Sequence, residues 1–219
     1  MCFVGREKET NKIIKALERG NNIVLMGKYG IGRTSLIRHI AAITKEKWKF
    51  VFLDFSQTPG KVTKQLLEEL MPGKWKGKNH YARYKSGRFL IVSKELKDKR
   101  KHFLILDNIA KLTTQKLQFL RYLIQESTFQ YVAIAESFLP KEDLFLLRAS
   151  LLPAEMIILP YLNEESTEKL LRQLVDKYSL NWSGQRIAMI VSSTRGYPPG
   201  VHDIIKRVLD TRKKNGFRS

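Results

Sequence analysis

The sequence predicts an α/β fold, in which helices cover both faces of a five-stranded parallel sheet and a small all-helical domain follows. Short apolar runs alternate along the chain with segments that have helical periodicity, which is typical of repeated strand–helix units. A glycine-rich turn joins the first run to the next helix, and the strand patterns stop after Pro160. These observations predict a sheet domain over residues 1–160 and a helical domain over residues 161–219.

The predicted strands are short apolar runs, and the predicted helices separate them. The strands cover residues 23–26, 49–55, 103–107, 131–135 and 156–159. The helices cover residues 7–19, 61–70, 89–96, 117–124 and 144–151, and a further helix begins at Thr34. Because strands that alternate with helices are joined by crossovers, we expect a parallel sheet that is buried on both faces.

The end of the chain has helical signals only. Asn163 and Ser183 are predicted N-caps of helices that end near residues 178 and 192. A last helix follows the sequence Gly-Tyr-Pro-Pro-Gly at 196–200 and ends near residue 213. These segments predict the small helical domain.

Composition excludes several classes of protein. With 219 residues, 43% of them hydrophobic, the chain can form a substantial core. We expect no membrane span and no signal peptide, because no apolar run has the required length or position. The single cysteine, Cys2, excludes an internal disulfide framework, and the four histidines lack metal-ligand spacing. A cytoplasmic location is expected.

The net charge is strongly positive. Forty Lys and Arg residues against 21 Asp and Glu residues give +19, with a pI near 10.0. Such a charge favours a polyanionic partner, with nucleic acid before a membrane surface. The alternative is a generally basic proteome or a solubility effect.

A phosphate-binding loop is predicted between the first strand and its helix. The pattern G-x-x-x-x-G-K-[ST] is matched by Gly27, Gly32 and Thr34, with Arg33 in place of the lysine. Glycines allow backbone N–H groups to surround an anion, and the helix N-terminus adds partial positive charge. The alternative is a glycine-rich turn without a ligand.

The arginine is the one departure within the loop. Lysine is a compact charge that reaches the β- and γ-phosphates, whereas arginine is longer, planar and forked. Lys28 lies inside the loop and is a candidate for part of the missing contact.

Asp107 is the predicted partner of the loop in holding Mg²⁺. It is the last residue of the predicted buried strand 103–107. In phosphate-loop enzymes an acid at the end of such a strand holds the ion beside the Ser or Thr of the loop, here Thr34. ATP and Mg²⁺ are therefore the expected ligands, and a strand that merely ends in Asp is the alternative.

These motifs together resemble an AAA+ ATPase of the initiator branch, close to origin-recognition ATPases and to transposition ATPases of the TnsC and IstB type. Residues 3–7 resemble the adenine-side motif, 27–34 Walker A, and 104–107 Walker B. The resemblance implies that Ser137 is sensor 1, that Arg148 is an arginine finger acting on a neighbouring subunit, and that the helical tail is the lid. The implied nucleotide-binding residues are Val4, Gly5, Arg6, Gly27, Lys28, Gly30, Ile31, Gly32, Arg33, Thr34 and Ser35.

Departures from the family pattern weaken the prediction of catalysis. Asn108 stands where the family has its catalytic acid, and asparagine orients water but cannot accept its proton. No sensor 2 arginine is in register at 196–200, where Gly196-x-Pro198 instead resembles the lid motif of STAND signalling ATPases. The catalytic candidates are Asp107, Asn108, Ser137 and Arg148, and slow or absent hydrolysis is expected.

A basic segment, residues 74–101, is the candidate contact to DNA. It contains eleven Lys and Arg residues, two acids and interleaved aromatic residues. In AAA+ rings, elements from this region line the pore, where lysines follow phosphates and aromatic rings stack on bases. The candidates are Lys61, Lys64, Lys74, Lys76, Lys78, Arg83, Lys85 and Arg88; a solvated loop is the alternative.

The function expected from these features is that of an ATP-binding AAA+ protein that forms homo-oligomers on DNA. It would act as a regulator or matchmaker, with protein partners in DNA transposition or in another DNA transaction. Two alternatives stay open. One is a STAND-like signalling switch whose partners are proteins, and the other is a pseudo-ATPase scaffold that has lost nucleotide binding.

Overall fold

The computed structural model describes residues 4–70, 98–126 and 129–216. The predicted fold is confirmed: the five strands form one parallel sheet with helices around it. The strands are β1 (Asn22–Met26), β2 (Trp48–Asp54), β3 (Lys101–Ile109), β4 (Gln130–Ala135) and β5 (Ala154–Ile158). The helices of the described ranges are α1 (Glu7–Glu18), α2 (Arg33–Ile43), α3 (Pro59–Leu70), α4 (Thr114–Glu126), α5 (Lys141–Ser150), α6 (Glu164–Lys177), α7 (Gly184–Thr194) and α8 (Pro198–Gly216).

The order of strands in the sheet differs from their order in the chain. It is β2-β3-β4-β1-β5, so that β4 lies between β3 and β1. Because all the strands are parallel, their carboxyl ends meet at one edge, where ligands of open α/β sheets bind. This edge brings together the loop after β1, Asp54 at the end of β2, Asp107 and Asn108 near the end of β3, and Glu136 directly after β4.

A separate apolar cluster packs on each face of the sheet. Leu104 and Leu106 of β3 face α3 and α4, whereas Phe103 and Ile105 face α1 and α2. Successive side chains of a strand point to opposite faces, so one apolar run supplies both clusters. All six residues of β4 are buried. Each fully buried aliphatic or aromatic side chain stabilises the fold by about 1.5–3 kcal/mol.

Several element boundaries differ from the predicted ones. The third strand is longer than the apolar run 103–107, because pairing with β2 begins at Lys101. Helix α3 starts at Pro59 rather than residue 61, and proline is favoured in the first helical turn because the N–H it lacks is unpaired there anyway. Helix α5 starts at Lys141, directly after Pro140. The predicted helix at 89–96 lies outside the described residues.

The helices after β5 pack around an apolar cluster of their own. The side chain of Asn163 accepts a hydrogen bond from Ser166 N at 2.8 Å, and that of Ser183 accepts one from Arg186 N at 3.3 Å. Both predicted N-caps are therefore confirmed. The buried members of the cluster are Leu171, Leu174, Val175, Leu180, Ile187, Ile190, Val191, Val201 and Ile205. The placement of a domain boundary at residue 160 stays a prediction.

The helices of the described ranges also bear on the question of a membrane span. None of them combines the length and the apolar character that crossing a bilayer requires.

Candidate functional site

The loop between β1 and α2 has the strand–loop–helix form that the sequence predicts. Gly32 precedes the first residue of α2 with a φ of 96°, a left-handed conformation that favours glycine. At Gly30 a side chain is excluded by lack of space, because an added Cβ would lie 2.4 Å from Cγ of Pro199. The N-terminus of α2 therefore opens onto this loop, an arrangement that suits an anion.

Thr34 and Asp107 lie in direct contact. The Thr34 hydroxyl donates to Asp107 Oδ2 at 3.0 Å and is 3.2 Å from Oδ1. Hydroxyl and carboxylate oxygens are ligands that Mg²⁺ accepts, and Mg²⁺ usually completes its shell with waters and substrate phosphates. The pair therefore fits a magnesium ion held jointly with phosphates. Across the described residues, no cluster of three or more His, Cys, Asp or Glu side chains could hold a metal ion without them.

The Arg33 side chain contacts the end of β4, whereas the motif predicts a contact to the phosphates. Its guanidinium Nη2 donates to Glu136 Oε2 at 2.6 Å, and Nη1 donates to the carbonyl oxygen of Ala135. Only 7% of the Arg33 side chain and 11% of the Glu136 side chain are exposed. The rigid fork of the guanidinium matches this pair of acceptors at the end of β4. A contact from Arg33 to phosphates stays a prediction, and it would require the guanidinium to leave Glu136.

Glu136 is a residue to which sequence analysis gave no role. It follows the buried strand β4 directly, one position before the predicted sensor Ser137. The sequence signal that could have identified Glu136 is an acid directly after a mostly apolar strand, in a chain that has arginine in place of the loop lysine. Ser137 itself is exposed, and it lines a cavity of about 360 Å³ with Gly27, Lys28 and Ile31.

Lys28 faces the segment that follows β5. Its Nζ lies 5.0 Å from the centroid of the Tyr161 ring. A hydrogen bond with the Tyr161 side chain is the main reason why the pKa of Lys28 is raised. The hypothesis that Lys28 replaces the missing lysine stays a prediction.

Asn108 contacts a second carboxylate, Asp54 at the end of β2. Asn108 Nδ2 donates to Asp54 Oδ1 at 3.2 Å. Asp54 also accepts bonds from Ser56 N at 3.1 Å, Ser56 Oγ at 2.6 Å and Gln57 Nε2 at 3.1 Å. Burial by itself would raise the pKa of Asp54, but the hydrogen bonds from Ser56, Asn108 and Gln57 outweigh burial and lower it. No functional role was predicted for Asp54 from the sequence.

A basic side chain completes this corner of the site. Lys116 on α4 donates from Nζ to the carbonyl oxygen of Ser56 at 3.1 Å. Burial lowers the pKa of Lys116, and the charge of Asp54 acts in the opposite direction. The ends of β2 and β3 thus present Asp54, Asp107 and Asn108 next to a lysine.

A cavity of about 410 Å³ lies between the loop and the C-terminal helices. This volume falls within the range of small-molecule sites, roughly 300–1,000 Å³. The predicted residues Val4, Arg6, Gly30, Ile31, Gly32 and Ser35 line it, together with Arg38, His39, Ala42, Leu162, Leu170, Pro198, Pro199 and His202. The N-terminal motif and the loop, which are separate in the sequence, therefore meet at one cavity.

Arg6 and Gly5 hold the wall of this cavity in place. The Arg6 side chain is only 3% exposed, and it donates to the carbonyl oxygen of Pro160 at 2.7 Å and to Glu9 at 3.1 Å. Gly5 has a φ of 73°, and an added Cβ would lie 2.3 Å from Cβ of Ser166. Arg6 therefore connects the start of the chain to the segment that leads into α6, and Gly5 lies against the first turn of α6.

Residues 196–200 contact both the loop and the segment after β5. Gly196 has a φ of 76°, and its carbonyl oxygen accepts a bond from Leu162 N at 2.9 Å. The Tyr197 hydroxyl donates to the carbonyl oxygen of Tyr29 at 3.2 Å, and the Pro199 ring lies against Gly30. The Gly-x-Pro sequence is thus the point at which the C-terminal helices reach the phosphate loop.

Those predicted assembly and DNA-binding residues that the structure describes are not among the residues that line the cavity. Arg148 is exposed on α5, and Lys61 and Lys64 are exposed on α3. Lys64 forms an ion pair with Glu68 at 3.6 Å. The remaining candidates lie outside the described residues: Lys74, Lys76, Lys78, Arg83, Lys85 and Arg88.

Solved structures of other proteins share this fold. The Holliday junction branch migration motor RuvB of Thermotoga maritima matches with a TM-score of 0.61 and 16% identity, over 95% of this chain and 63% of RuvB. The Hsp104–ADP complex of S. cerevisiae matches with a TM-score of 0.60 and 18% identity, over 93% of this chain and 30% of Hsp104. ORC1 of Aeropyrum pernix in complex with DNA matches with a TM-score of 0.54 and 13% identity, over 94% of this chain and 61% of ORC1.

The structural similarity shows a shared P-loop NTPase fold. The chain spans about 63% of the length of RuvB. No curated protein sequence matches the chain. Residues 2–135 match the family model described as the AAA ATPase domain, and this match covers more than half of the chain. The matched region contains the phosphate loop, Thr34 and Asp107. The chain therefore belongs to the AAA ATPase domain family.

Proposed function

We propose that this chain binds ATP with Mg²⁺ and forms nucleotide-dependent homo-oligomers on DNA, as a regulator or matchmaker in transposition or another DNA transaction. Hydrolysis is proposed to be slow. The contact between Thr34 and Asp107 carries the ATP part of the proposal, because it places the two expected magnesium ligands 3.0 Å apart beside the phosphate loop.

Each part of an ATP molecule has a matching surface in this site. The loop and the N-terminus of α2 offer backbone N–H groups to the phosphates. Mg²⁺, when bound, would neutralise phosphate charge, with Thr34 and Asp107 as its protein ligands. The cavity that Val4, Arg6 and Pro198 help to line is the place for the nucleoside. The nucleotide would then lie between the sheet and the C-terminal helices.

The DNA part of the proposal rests on charge and on the related folds. The chain has a net charge of +19, and the exposed residues Lys61 and Lys64 lie on α3, just before the basic segment 74–101. Among the structures that share the fold, RuvB is a branch migration motor and ORC1 is seen with DNA. The exposed position of Arg148 on α5 is compatible with contact to a neighbouring subunit.

A thermal shift experiment tests the ATP part. Millimolar ATP with Mg²⁺ should raise the melting temperature of the wild type, because a ligand that binds only the folded state stabilises it. Asp107→Ala should remove most of this shift. Asp98→Ala is a matched control, since Asp98 lies before β3, whereas Asp107 lies near its end. No shift for the wild type, or an equal shift for Asp107→Ala, would refute the proposal.

A salt titration tests the DNA part. Replacing Lys74, Lys76 and Lys78 together by alanine should flatten the salt dependence of DNA binding, by about one unit of slope for each lysine that binds a phosphate. A matched control replaces the exposed Lys8, Lys12 and Lys15 of α1, which removes the same charge elsewhere. Equal slopes for the two triple variants would mean that total charge, and not the basic segment, determines binding.

Sedimentation tests the assembly part. Arg148→Ala should abolish ATP-dependent oligomers and keep the thermal shift that ATP produces in the monomer. An Arg148→Ala variant that still assembles with ATP would exclude the finger role.

A STAND-like signalling switch is the second candidate, because the contacts of residues 196–200 favour it. Tyr197 and Pro199 contact the phosphate loop at Tyr29 and Gly30. A nucleotide that moves this loop would therefore move the C-terminal helices. This candidate predicts ATP-dependent assembly that DNA does not strengthen. A pseudo-ATPase scaffold predicts no thermal shift with ATP at all.

A further inference from the structure

The carboxylate of Asp54 stands at the end of β2, beside the residues that end β3. Asp54 and Asp107 are partners in the register of the two parallel strands. Phe55 N donates to the carbonyl oxygen of Asp107 at 2.8 Å, and Asn108 Nδ2 donates to Asp54 Oδ1 at 3.2 Å. The family pattern has an acid at the position of Asn108, and this chain does not. A carboxylate is present instead on the neighbouring strand, in contact with the amide of Asn108.

Local structure explains only part of the surroundings of Asp54. The bonds from Ser56 N and Ser56 Oγ form a side-chain turn of the kind that aspartate commonly makes after a strand. Such a turn does not need Asn108, which comes from a different strand 54 residues further along the chain. Asn108 adopts a φ of 61°, a conformation that asparagine tolerates better than most residues. The contact between the two side chains therefore results from the pairing of β2 with β3 and not from the turn.

The carboxylate retains room for another hydrogen bond. Oδ1 accepts the bonds from Ser56 and Asn108, whereas Oδ2 accepts one bond, from Gln57 Nε2 at 3.1 Å, within the described residues. A carboxylate oxygen has two lone pairs, so Oδ2 can accept a bond from a water molecule. The amide of Asn108 can orient the same water.

We propose that Asp54 accepts the proton of the attacking water in ATP hydrolysis and that Asn108 orients this water, an assignment that rests on the proposed ATP binding. The water oxygen forms a bond to the γ-phosphorus. The bond between that phosphorus and the β–γ bridging oxygen breaks, and ADP leaves with its electron pair. The water proton passes to the Asp54 carboxylate and then to solvent, so no further reactant is required.

Glu136 is another carboxylate at this edge of the sheet, and its surroundings suit a different task. Its Oε2 is held by the Arg33 guanidinium at 2.6 Å in a buried ion pair. A carboxylate that is engaged in this way would have to break the pair before it could contact water. Asp54, with neutral hydrogen-bond donors around it, needs no such step.

The test compares Asp54→Asn with the wild type, with and without DNA. Asparagine keeps the shape and an acceptor oxygen for Ser56 but cannot take up the proton. We expect kcat to fall at least about 100-fold, the usual effect of losing a general base. The KM for ATP and the thermal shift with ATP and Mg²⁺ should not change. Asp98→Asn is the matched control and should hydrolyse ATP like the wild type.

Two further measurements test the role of Asp54 without a comparison of turnover with the wild type. ADP with aluminium fluoride imitates the phosphoryl group under attack by water, so it should stabilise the wild type more than ADP does. Asp54→Asn should lose this additional thermal shift. The exchange variant Asp54→Asn/Asn108→Asp returns a carboxylate to β3, and it should hydrolyse ATP at least about tenfold faster than Asp54→Asn, within the range of general-base effects.

The outcomes separate this inference from the proposed function. If wild-type protein shows no thermal shift with ATP, the proposed ATP binding fails and this inference fails with it. If ATP binds and Asp54→Asn hydrolyses it at the wild-type rate, only the role of Asp54 is overturned. A loss of ATP binding in Asp54→Asn, or a wild type that binds ATP without any hydrolysis, also overturns that role.

Discussion

Arg33 and Asn108 both depart from the nucleotide-binding pattern, and each contacts a carboxylate at the end of another strand. Arg33 bonds to Glu136 after β4, and Asn108 bonds to Asp54 at the end of β2. The first pair is buried, with side-chain exposures of 7% and 11%. The second lies at the surface, where Asn108 is exposed and Asp54 is half-buried.

Because the two pairs differ in burial, we expect different consequences when a member of each pair is replaced. A buried ion pair is costly to break, because removing one partner leaves the other charge without solvent or a counter-charge. An exposed pair contributes little to stability, because water takes the place of the missing partner. We therefore expect the pair of Arg33 and Glu136 to matter for folding and the pair of Asn108 and Asp54 to matter mainly for chemistry.

The largest expected effect is that of Glu136→Ala. It leaves the Arg33 guanidinium buried beside an alanine, so the free energy of unfolding should fall by about 3–5 kcal/mol. Urea denaturation followed by circular dichroism measures this change. The double variant Arg33→Met/Glu136→Leu removes both charges and should be more stable than Glu136→Ala. A loss below about 1 kcal/mol for Glu136→Ala, the value of an exposed pair, would contradict the expected difference between the buried and the exposed pair.

A smaller effect is expected for Arg33→Lys. Lysine keeps the charge but lacks the fork that reaches both Glu136 and the carbonyl oxygen of Ala135. We expect a loss of about 1–2 kcal/mol in unfolding free energy, roughly the value of one such hydrogen bond. The same variant should bind ATP with Mg²⁺ more tightly, because the lysine that the motif requires is restored. Calorimetric titration measures the affinity, and weaker binding would show that Arg33 is not simply a poor substitute for lysine.

Asp54→Asn should change stability by less than about 1 kcal/mol at pH 7. Its hydrogen bonds hold the pKa of Asp54 below the ordinary value in the folded state, so its ionised form adds stability above that value. This contribution disappears as the pH falls through the ordinary aspartate pKa of about 3.9 and then through the folded one. The difference between wild type and Asp54→Asn should therefore shrink from pH 7 to pH 3. A difference that grows on acidification would contradict the direction of the shift.

The smallest effect is expected for Lys64→Ala, which serves as the exposed reference. Lys64 and Glu68 form an ion pair on α3 with exposures of 54% and 58%. Its removal should cost no more than about 0.5 kcal/mol, and salt should reduce even that. Unfolding measured at low and high salt checks this value. A cost as large as that of Glu136→Ala would mean that burial does not explain the contrast between the two pairs.

Local patterns in the sequence were sufficient to predict much of this molecule. Apolar runs and helical periodicity predicted the parallel sheet, because each strand and helix buries a face that its own residues define. Asn163 and Ser183 were predicted as N-caps correctly, since a cap bonds to a backbone N–H three residues away. The glycine-rich loop was predictable for the same reason, because its conformation depends on the residues within it.

Tertiary structure decided which distant side chains meet. The contact between Arg33 and Glu136 joins positions 103 residues apart, and the contact between Asn108 and Asp54 joins positions 54 apart. Both depend on the strand order β2-β3-β4-β1-β5, which differs from the order along the chain. The position of Pro199 against Gly30 likewise depends on how the C-terminal helices pack. Periodicity shows which face of a strand is buried, but the neighbour of a strand depends on the packing of the whole sheet.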